Sequence, residues 1–416
     1  MESSTGKENL QRFAGDLEVG LGQPELLRRV NARRVFGLLC LHGPCSRADL
    51  VRYSGLSAPT ISGVVSYLQR KGLVESLGRG RSSGGCPPGL LRFNADFGYV
   101  VGMDIGTSIF RFYVADLNGK VLIKWTESTH SHSTPEHITA LVRKCLRRLQ
   151  SDEKIPPKKL LALAVSVPGM TSAAIGVVRS ASPLPTGWWD VPLGEILRKE
   201  TGIPTQVEND VNLAAIGENW CGSAQDAKDF VFLAVGTGLG AGIFVNGRLH
   251  HGAGGMAGEI GYLYIPGSEE SPLAVHEPGW LENALAAKGI ERSWQLLQRK
   301  NGDGHRPSRL TARRILDLAA KGEMSAVTIL QQKAHNLADA VANICVILDP
   351  SLVVLGGRIG SHPALFEATR QIVEQNEFCR PQLVLSRLGL DAPALGAIWL
   401  ALKSARERML PLALEN

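Results

Sequence analysis

The run QVENDVNLAAIGEN (206–219) sets Asn209 and Asp210 side by side, after a β-like stretch and before a helix-like one. A carboxylate so placed can take a proton from a hydroxyl or hold that hydroxyl as an acceptor, and a neighbouring amide adds a second polar contact. Two glycine-rich turns occur in the same chain: Gly106-Thr107-Ser108, and VGTGLGAG with Gly236, Thr237, Gly238 and Gly240. Glycine turns let backbone N–H groups approach phosphate oxygens, although most of them merely connect strands. Two chemistries are therefore open: phosphoryl transfer to a hydroxyl, or recognition of the hydroxyl without transfer.

The elements that must position these residues repeat. YVVGMDIGTSIFRFYVADLNGKVLIKW reads as strand, glycine turn, strand, Asn118-Gly119 hairpin, strand. FVFLAVGTGLGAGIFVNGRLHHG follows the same pattern about 130 residues later, with Asn246-Gly247 in the hairpin. The duplication predicts an α/β region from 93 to 416 with two similar lobes around a cleft.

The N-terminal part is different. Residues 26–92 hold eleven Lys and Arg against Asp49 and Glu75, so the net charge of +6 is concentrated in one short segment, which suits a polyanion partner. Leu27, Val30, Val35, Leu38 and Leu39 fall near helical spacing before Gly43, a short helix follows Ser46, and Ser57 caps a third helix with Pro59 in its first turn. Ile61, Val64, Val65 and Leu68 face inward, leaving Ala58, Pro59, Thr60, Ser62 and Ser66 outward, as in a helix-turn-helix. LVESLGRGRSSGGCPPGLLRFN then reads as a wing, with Arg79 and Arg81 in a basic loop. The segment 26–92 is thus a winged helix-turn-helix for double-stranded operator DNA, preceded by a flexible tail (1–25). Arg47, Thr60, Ser62, Ser66, Arg79 and Arg81 are the expected DNA contacts. The short outward side chains predict modest base readout, with affinity coming from neutralised phosphates.

With 416 residues, 44% hydrophobic and 20% charged, the chain can bury a large core divided among two or three domains. No apolar run at the start resembles a signal peptide and none elsewhere could span a bilayer, so the expected location is the cytoplasm. Seven cysteines without a CxxC pair suit reduced thiols rather than a disulfide framework.

DIGTS, VPG (167–169), VENDVN, VGTGLGAGI, GMAGEIGYL, GWLE (279–282) and VVLGGRI (353–359), in this order behind a winged helix, resemble the ROK family of repressors, open reading frames and kinases. The resemblance covers nearly all of residues 26–410 and is nearest to the sugar-responsive repressor branch. It implies a two-lobed actin-like ATPase fold, the sugar-kinase and ribonuclease H-like architecture; and because a helix-turn-helix reads two half-sites, a homodimer or larger even assembly such as a tetramer is expected. Asn209, Asp210, Glu259 and Glu282 would hold sugar hydroxyls, and Tyr262, in place of a sugar-contacting histidine, would alter which hydroxyls are read. Three departures bear on function. The first phosphate turn lacks the DIGGTK pattern, with only Gly106 and Ser108 as remnants, which argues against ATP. The family zinc positions fall on Tyr262, Leu273, Val275 and Trp280, so no metal is expected, and His276 alone could not replace them. Cys86 stands where the wing's GRPP arginine would be, ahead of a Pro87-Pro88 connector. The resemblance implies a sugar-sensing transcriptional regulator with no cofactor; the alternative is an active sugar kinase with Asp210 as its base.

Overall fold

The computed structural model describes residues 24–79, 89–129, 133–180, 187–264, 278–300 and 309–411. The N-terminal module comprises α1 (Pro24–His42), β1 (Cys45–Ser46), α2 (Arg47–Ser54), α3 (Ala58–Arg70), β2 (Val74–Arg79) and β3 (Gly89–Phe93). Gly43 ends α1 at φ +69°. Ser46 forms a reciprocal capping box with Asp49 at the start of α2, and Ser57 caps α3. Ala32, Val35, Phe36 and Leu39 form the buried stripe of α1, packed on Leu50, Ile61, Val65 and Leu68. Leu27, expected on that stripe, lies a full turn ahead of it and is 46% exposed. The first helix opens at Pro24, inside the stretch expected to be a tail.

Of the twelve remaining described strands, ten form two five-stranded sheets of one topology and two pair as a small hairpin. The first lobe runs β4 (Tyr99–Ile105), β5 (Ile109–Asp116), β6 (Val121–Ser128), α4 (Pro135–Ser151), β7 (Leu160–Val167), the small hairpin β8 (Met170–Ser172) and β9 (Val177–Ser180), α5 (Leu193–Thr201) and β10 (Thr205–Asn209). After α6 (Asp210–Cys221) the second lobe runs β11 (Phe230–Val235), β12 (Leu239–Val245), β13 (Arg248–Leu249), α7 (Trp280–Leu285), α8 (Ala287–Lys300), α9 (Ala312–Ala320), α10 (Met324–Leu348), β14 (Leu352–Gly356), α11 (Gly357–Gly360), α12 (Pro363–Gln375) and β15 (Gln382–Leu385). The closing helix is α13 (Ala392–Met409). Sheet orders β6-β5-β4-β7-β10 and β13-β12-β11-β14-β15 are the same pattern: an antiparallel meander with two parallel strands added on one side. Burial follows position, as β4 is buried almost throughout while the edge strand β6 alternates half-buried and exposed residues. Asn118-Gly119 and Asn246-Gly247 form the hairpin turns, with both glycines and Asn246 at positive φ.

Helices α6 and α13 pack closely between the lobes. A Cβ on Gly396 would overlap Leu213 O, and one on Gly217 would stand 2.5 Å from Ala392 O, so the pair can approach only with glycine at both places. Both helices begin at the cleft. Their far ends meet the DNA-binding module: Leu402 and Leu410 share one hydrophobic core with Ala32, Val35 and Leu39, and Arg33 donates to Leu410 O and, at 3.1 Å, to Glu407 O. The expected boundary near residue 92 therefore falls within β3, between modules whose cores are continuous. Cys345 and Cys379 are paired, with Cα atoms 6.2 Å apart, in correction of the expectation of reduced thiols; they lie 34 residues apart and no spacing motif announces them.

Candidate functional site

Asp210 sits where β10 turns into α6. Parallel pairing of β10 with β7 sets Asn209 opposite Val167 and carries the joint to the Pro168-Gly169 turn. Asn209 then caps the helix: its Oδ1 accepts from the N–H groups of Val211 and Asn212, both at 2.9 Å, and its Nδ2 donates to Gly169 O at 2.8 Å. Most of its amide is thus engaged in holding the joint. Asp210 Oδ1 accepts from Val211 N at 2.9 Å.

A cleft of about 350 Å³ surrounds this joint, within the size range of small-molecule pockets. Asn209, Asp210, Glu259 and Glu282 line it, together with Gly106 and Ser108 of the first turn and Gly236, Thr237, Gly238 and Gly240 of the second. Glu259 follows Gly258, whose φ of +93° and close approach to Ala241 O exclude any side chain there. Glu282, on α7, accepts from Leu239 N at 3.2 Å. Burial raises the Asp210 carboxyl to about 7, helped by the negative charges of Asp104 and Glu259. Burial also raises Glu259, with Glu282 adding to it, and raises Glu282 itself. The cleft therefore gathers acceptors whose charge nothing within it neutralises fully, an arrangement that hydroxyl donors complete.

Tyr262 does not join them. The 3-10 turn Ile260–Tyr262 packs the Tyr262 backbone against Gly279, and Tyr262 is not among the residues lining the cleft. Leu273, Val275 and His276 lie outside the described residues, and Trp280 sets its ring edge-on to Tyr264, centroids 5.5 Å apart.

Arg111 was not expected in the cleft. Register places it opposite Asp104 on β5, with Ser166 opposite Asp104 on β7; Arg111 Nη1 and Ser166 Oγ donate to that carboxylate at 2.8 and 2.7 Å. Counting outward from the Gly106 turn would have paired 104 with 111, so the signal was present. Buried Glu208 was also missed. It accepts from Asn209 N at 2.8 Å and Asn212 Nδ2 at 3.0 Å, and meets His251 Nε2 at 2.7 Å, a hydrogen bond that raises the His251 pKa. Its partner is 43 residues away and no spacing rule joins them. The first phosphate turn is closed on itself, since Gly106 N donates to Ile109 O at 2.9 Å. In the second, Gly236 N donates to Gly238 O at 2.9 Å.

On the N-terminal module, α3 buries Ile61, Val64, Val65 and Leu68 and exposes Ser62 and Ser66, while Arg47 is exposed at the start of α2. Thr60 Oγ1 lies 2.8 Å from Ser57 Oγ, inside the α3 cap. The Ser57-to-Thr60 spacing, cap to third helical position, was a legible sign of this. Arg79 closes β2. Arg81, Cys86, Pro87 and Pro88 lie outside the described residues.

Comparison with known proteins agrees with this division. The ROK family profile matches residues 100–404 and the MarR family profile residues 29–82. A xylose repressor from Caldicellulosiruptor bescii is 27% identical over 388 residues, 91% of this chain and 96% of that protein. The crystal structure of a ROK family transcriptional regulator, a homologue of the E. coli MLC protein, has the same fold over 93% of this chain and 99% of its own, with a TM-score of 0.74 at 24% identity. A ROK hexokinase from Thermus thermophilus matches 73% of this chain and 97% of its own, at 30% identity and a TM-score of 0.60. The chain belongs to the ROK family and carries a MarR-type winged helix at its N-terminal end.

Proposed function

We propose that this chain is a sugar-responsive DNA-binding repressor. The observation that carries the reading is the convergence of Asp210, Glu259 and Glu282 on one cleft whose two central helices, α6 and α13, run from that cleft to the DNA-binding module. A neutral polyol satisfies half-buried acceptors that water reaches poorly. The effector is an aldose held by Asp210, Glu259 and Glu282, with Asn209 shaping the joint and contributing its remaining N–H. D-Xylose is the first candidate, because relatives of similar length are xylose repressors. No metal is required: neither Tyr262 nor Trp280, nor Leu273 or Val275, offers the nitrogen or sulfur that zinc takes.

A second reading, sugar kinase, draws support from Asp210, since a carboxyl near 7 is suited to general base catalysis. Against it, Asp104 is held by Arg111 and Ser166, so a magnesium ion could use it only by displacing a guanidinium. Calorimetric titration of aldoses against the full chain, with and without operator DNA, tests the sensor. The bound sugar should lower operator affinity about 5- to 150-fold, and operator should weaken the sugar by the same factor. Equal sugar affinity with and without operator, or sugar-dependent ATP turnover that Asp210→Asn abolishes, would remove this reading.

Operator binding also calls for two copies, since helix-turn-helix modules read paired half-sites. Val346 and Ile347 at the end of α10 are 66% and 75% exposed, and the Cys345–Cys379 pairing brings Phe378, 83% exposed, beside them. Self-association through this apolar patch is proposed, in a cytoplasmic homodimer or larger even assembly. Ile347→Glu should yield monomers by light scattering and a steep loss of operator affinity. A variant that remains dimeric would place the interface elsewhere.

A further inference from the structure

A second cavity, of about 630 Å³, lies at the junction of the DNA-binding module and the first lobe. We propose that it is a ligand site for a small organic anion with a flat apolar body, separate from the sugar cleft. Its walls come from both modules: Leu39 on α1 and Arg92 on β3 from one side, Trp220 on α6 and Trp399, Lys403 and Arg406 on α13 from the other. Among the described residues three cations thus line it, and no carboxylate does. Arg92 is paired with Glu75, which lies outside the wall. Lys403 is exposed, its ammonium 5.8 Å from the Trp399 ring centroid.

Arg406 supplies an independent sign. Its Nη2 donates to Leu117 O at 2.9 Å, while its Nε is buried without any hydrogen-bond acceptor. A buried guanidinium N–H lacking an acceptor is unfavourable, and a carboxylate, with two oxygens spaced to meet the guanidinium fork, removes that deficit once the side chain turns toward it. The half-buried indoles of Trp220 and Trp399 present flat surface for the body of such a ligand. The sugar cleft has the other balance, with Asp104, Asp210, Glu259 and Glu282 against Arg111 and Arg358.

Position gives this site a regulatory consequence. Helix α6 starts at Asp210 in the cleft and carries Trp220 at its far end, and α13 starts beside Pro393 in the cleft and carries Arg406 at its far end. A ligand wedged between α1 and α13 therefore acts on the same helices as the sugar, nearer the DNA. Occupancy and charge dependence do not rest on the repressor reading; only the effect on operator does.

The test uses 2-naphthoate as the probe and 2-naphthamide, its uncharged counterpart, titrated against the full chain by calorimetry. One saturable site per chain is expected for naphthoate, with affinity at least tenfold lower for the amide and for Lys403→Glu. Lys403→Gln, which removes the charge without reversing it, should give an intermediate loss and serves if the glutamate variant fails to fold. No saturable naphthoate binding at millimolar concentration, equal binding of the amide, or equal binding by the Lys403 variants would each overturn the proposal. Naphthoate that binds as expected should also shift operator affinity; if it binds without doing so, the site stands and the coupling falls.

Discussion

In the cleft, Asp210, Glu259 and Glu282 are half-buried and raised in pKa by desolvation, whereas on the N-terminal module Arg47, Ser62 and Ser66 stand exposed to water. The difference lies in how much each side chain decides. A carboxylate withdrawn from water carries a large free energy that its ligand can release, so a few residues control recognition. Exposed groups facing a polyanion each contribute modestly, and binding is a sum over many. Sugar response should fail abruptly on single substitutions, and DNA affinity should erode gradually.

The sharpest way to break this comparison is Asp210→Asn. Loss of a charged acceptor should lower sugar affinity about 10- to 100-fold, since hydrogen bonds to ionised groups contribute roughly 1.5–3 kcal/mol. The same change should stabilise the sugar-free protein. Asp210 titrates at about 7 in the fold against an ordinary value of 3.8, so its ionised form destabilises the native state; that penalty is full above about 7 and vanishes below 3.8. Chemical denaturation at pH 8 should therefore show the variant more stable, by at most roughly 4 kcal/mol, and at pH 4 nearly equal. Sugar affinity of the unaltered protein should fall as pH drops from 8 to 6, while Asp210→Asn should show a flat profile. A pH-independent affinity in the unaltered protein would mean that Asp210 does not hold the sugar.

The two regions also differed in how far they could be read from sequence. The helices of the N-terminal module follow from local signals: Ser46 with Asp49, Ser57 with Pro59, Gly43 at positive φ, and four inward residues on α3. The repeated strand-turn-strand pattern likewise announced two lobes of one topology. The cleft was legible only where residues belong to short runs, as in VENDVN and AGE. Arg111 could be counted outward from the Gly106 turn, but Ser166 meets Asp104 across a parallel pairing and His251 meets Glu208 from a separate loop; such pairings arise from tertiary packing, which a linear pattern does not encode. The close approach of the Tyr262 backbone to Gly279 is likewise a tertiary contact that the motif around it does not announce.

The smallest expected effect belongs to the DNA face. Arg47 is the first residue of α2, exposed, at the helix that crosses the DNA backbone in a helix-turn-helix. Its hydrogen-bond donors can reach a phosphate without reading a base, so Arg47→Ala should weaken specific and nonspecific DNA alike. Neutralising one phosphate fewer should reduce the slope of log affinity against log salt by about 0.9, with an affinity loss of only a few fold at moderate salt. Fluorescence anisotropy with operator and scrambled duplexes, at several salt concentrations, measures both quantities. The contrast with Asp210 lies in the form of the loss: a shallower salt dependence shared by both DNAs, against the disappearance of one ligand's effect. An unchanged salt slope would take Arg47 off the backbone. A loss confined to operator would make Arg47 a base-reading residue and give the DNA face the few-residue control that the comparison assigns to the cleft alone.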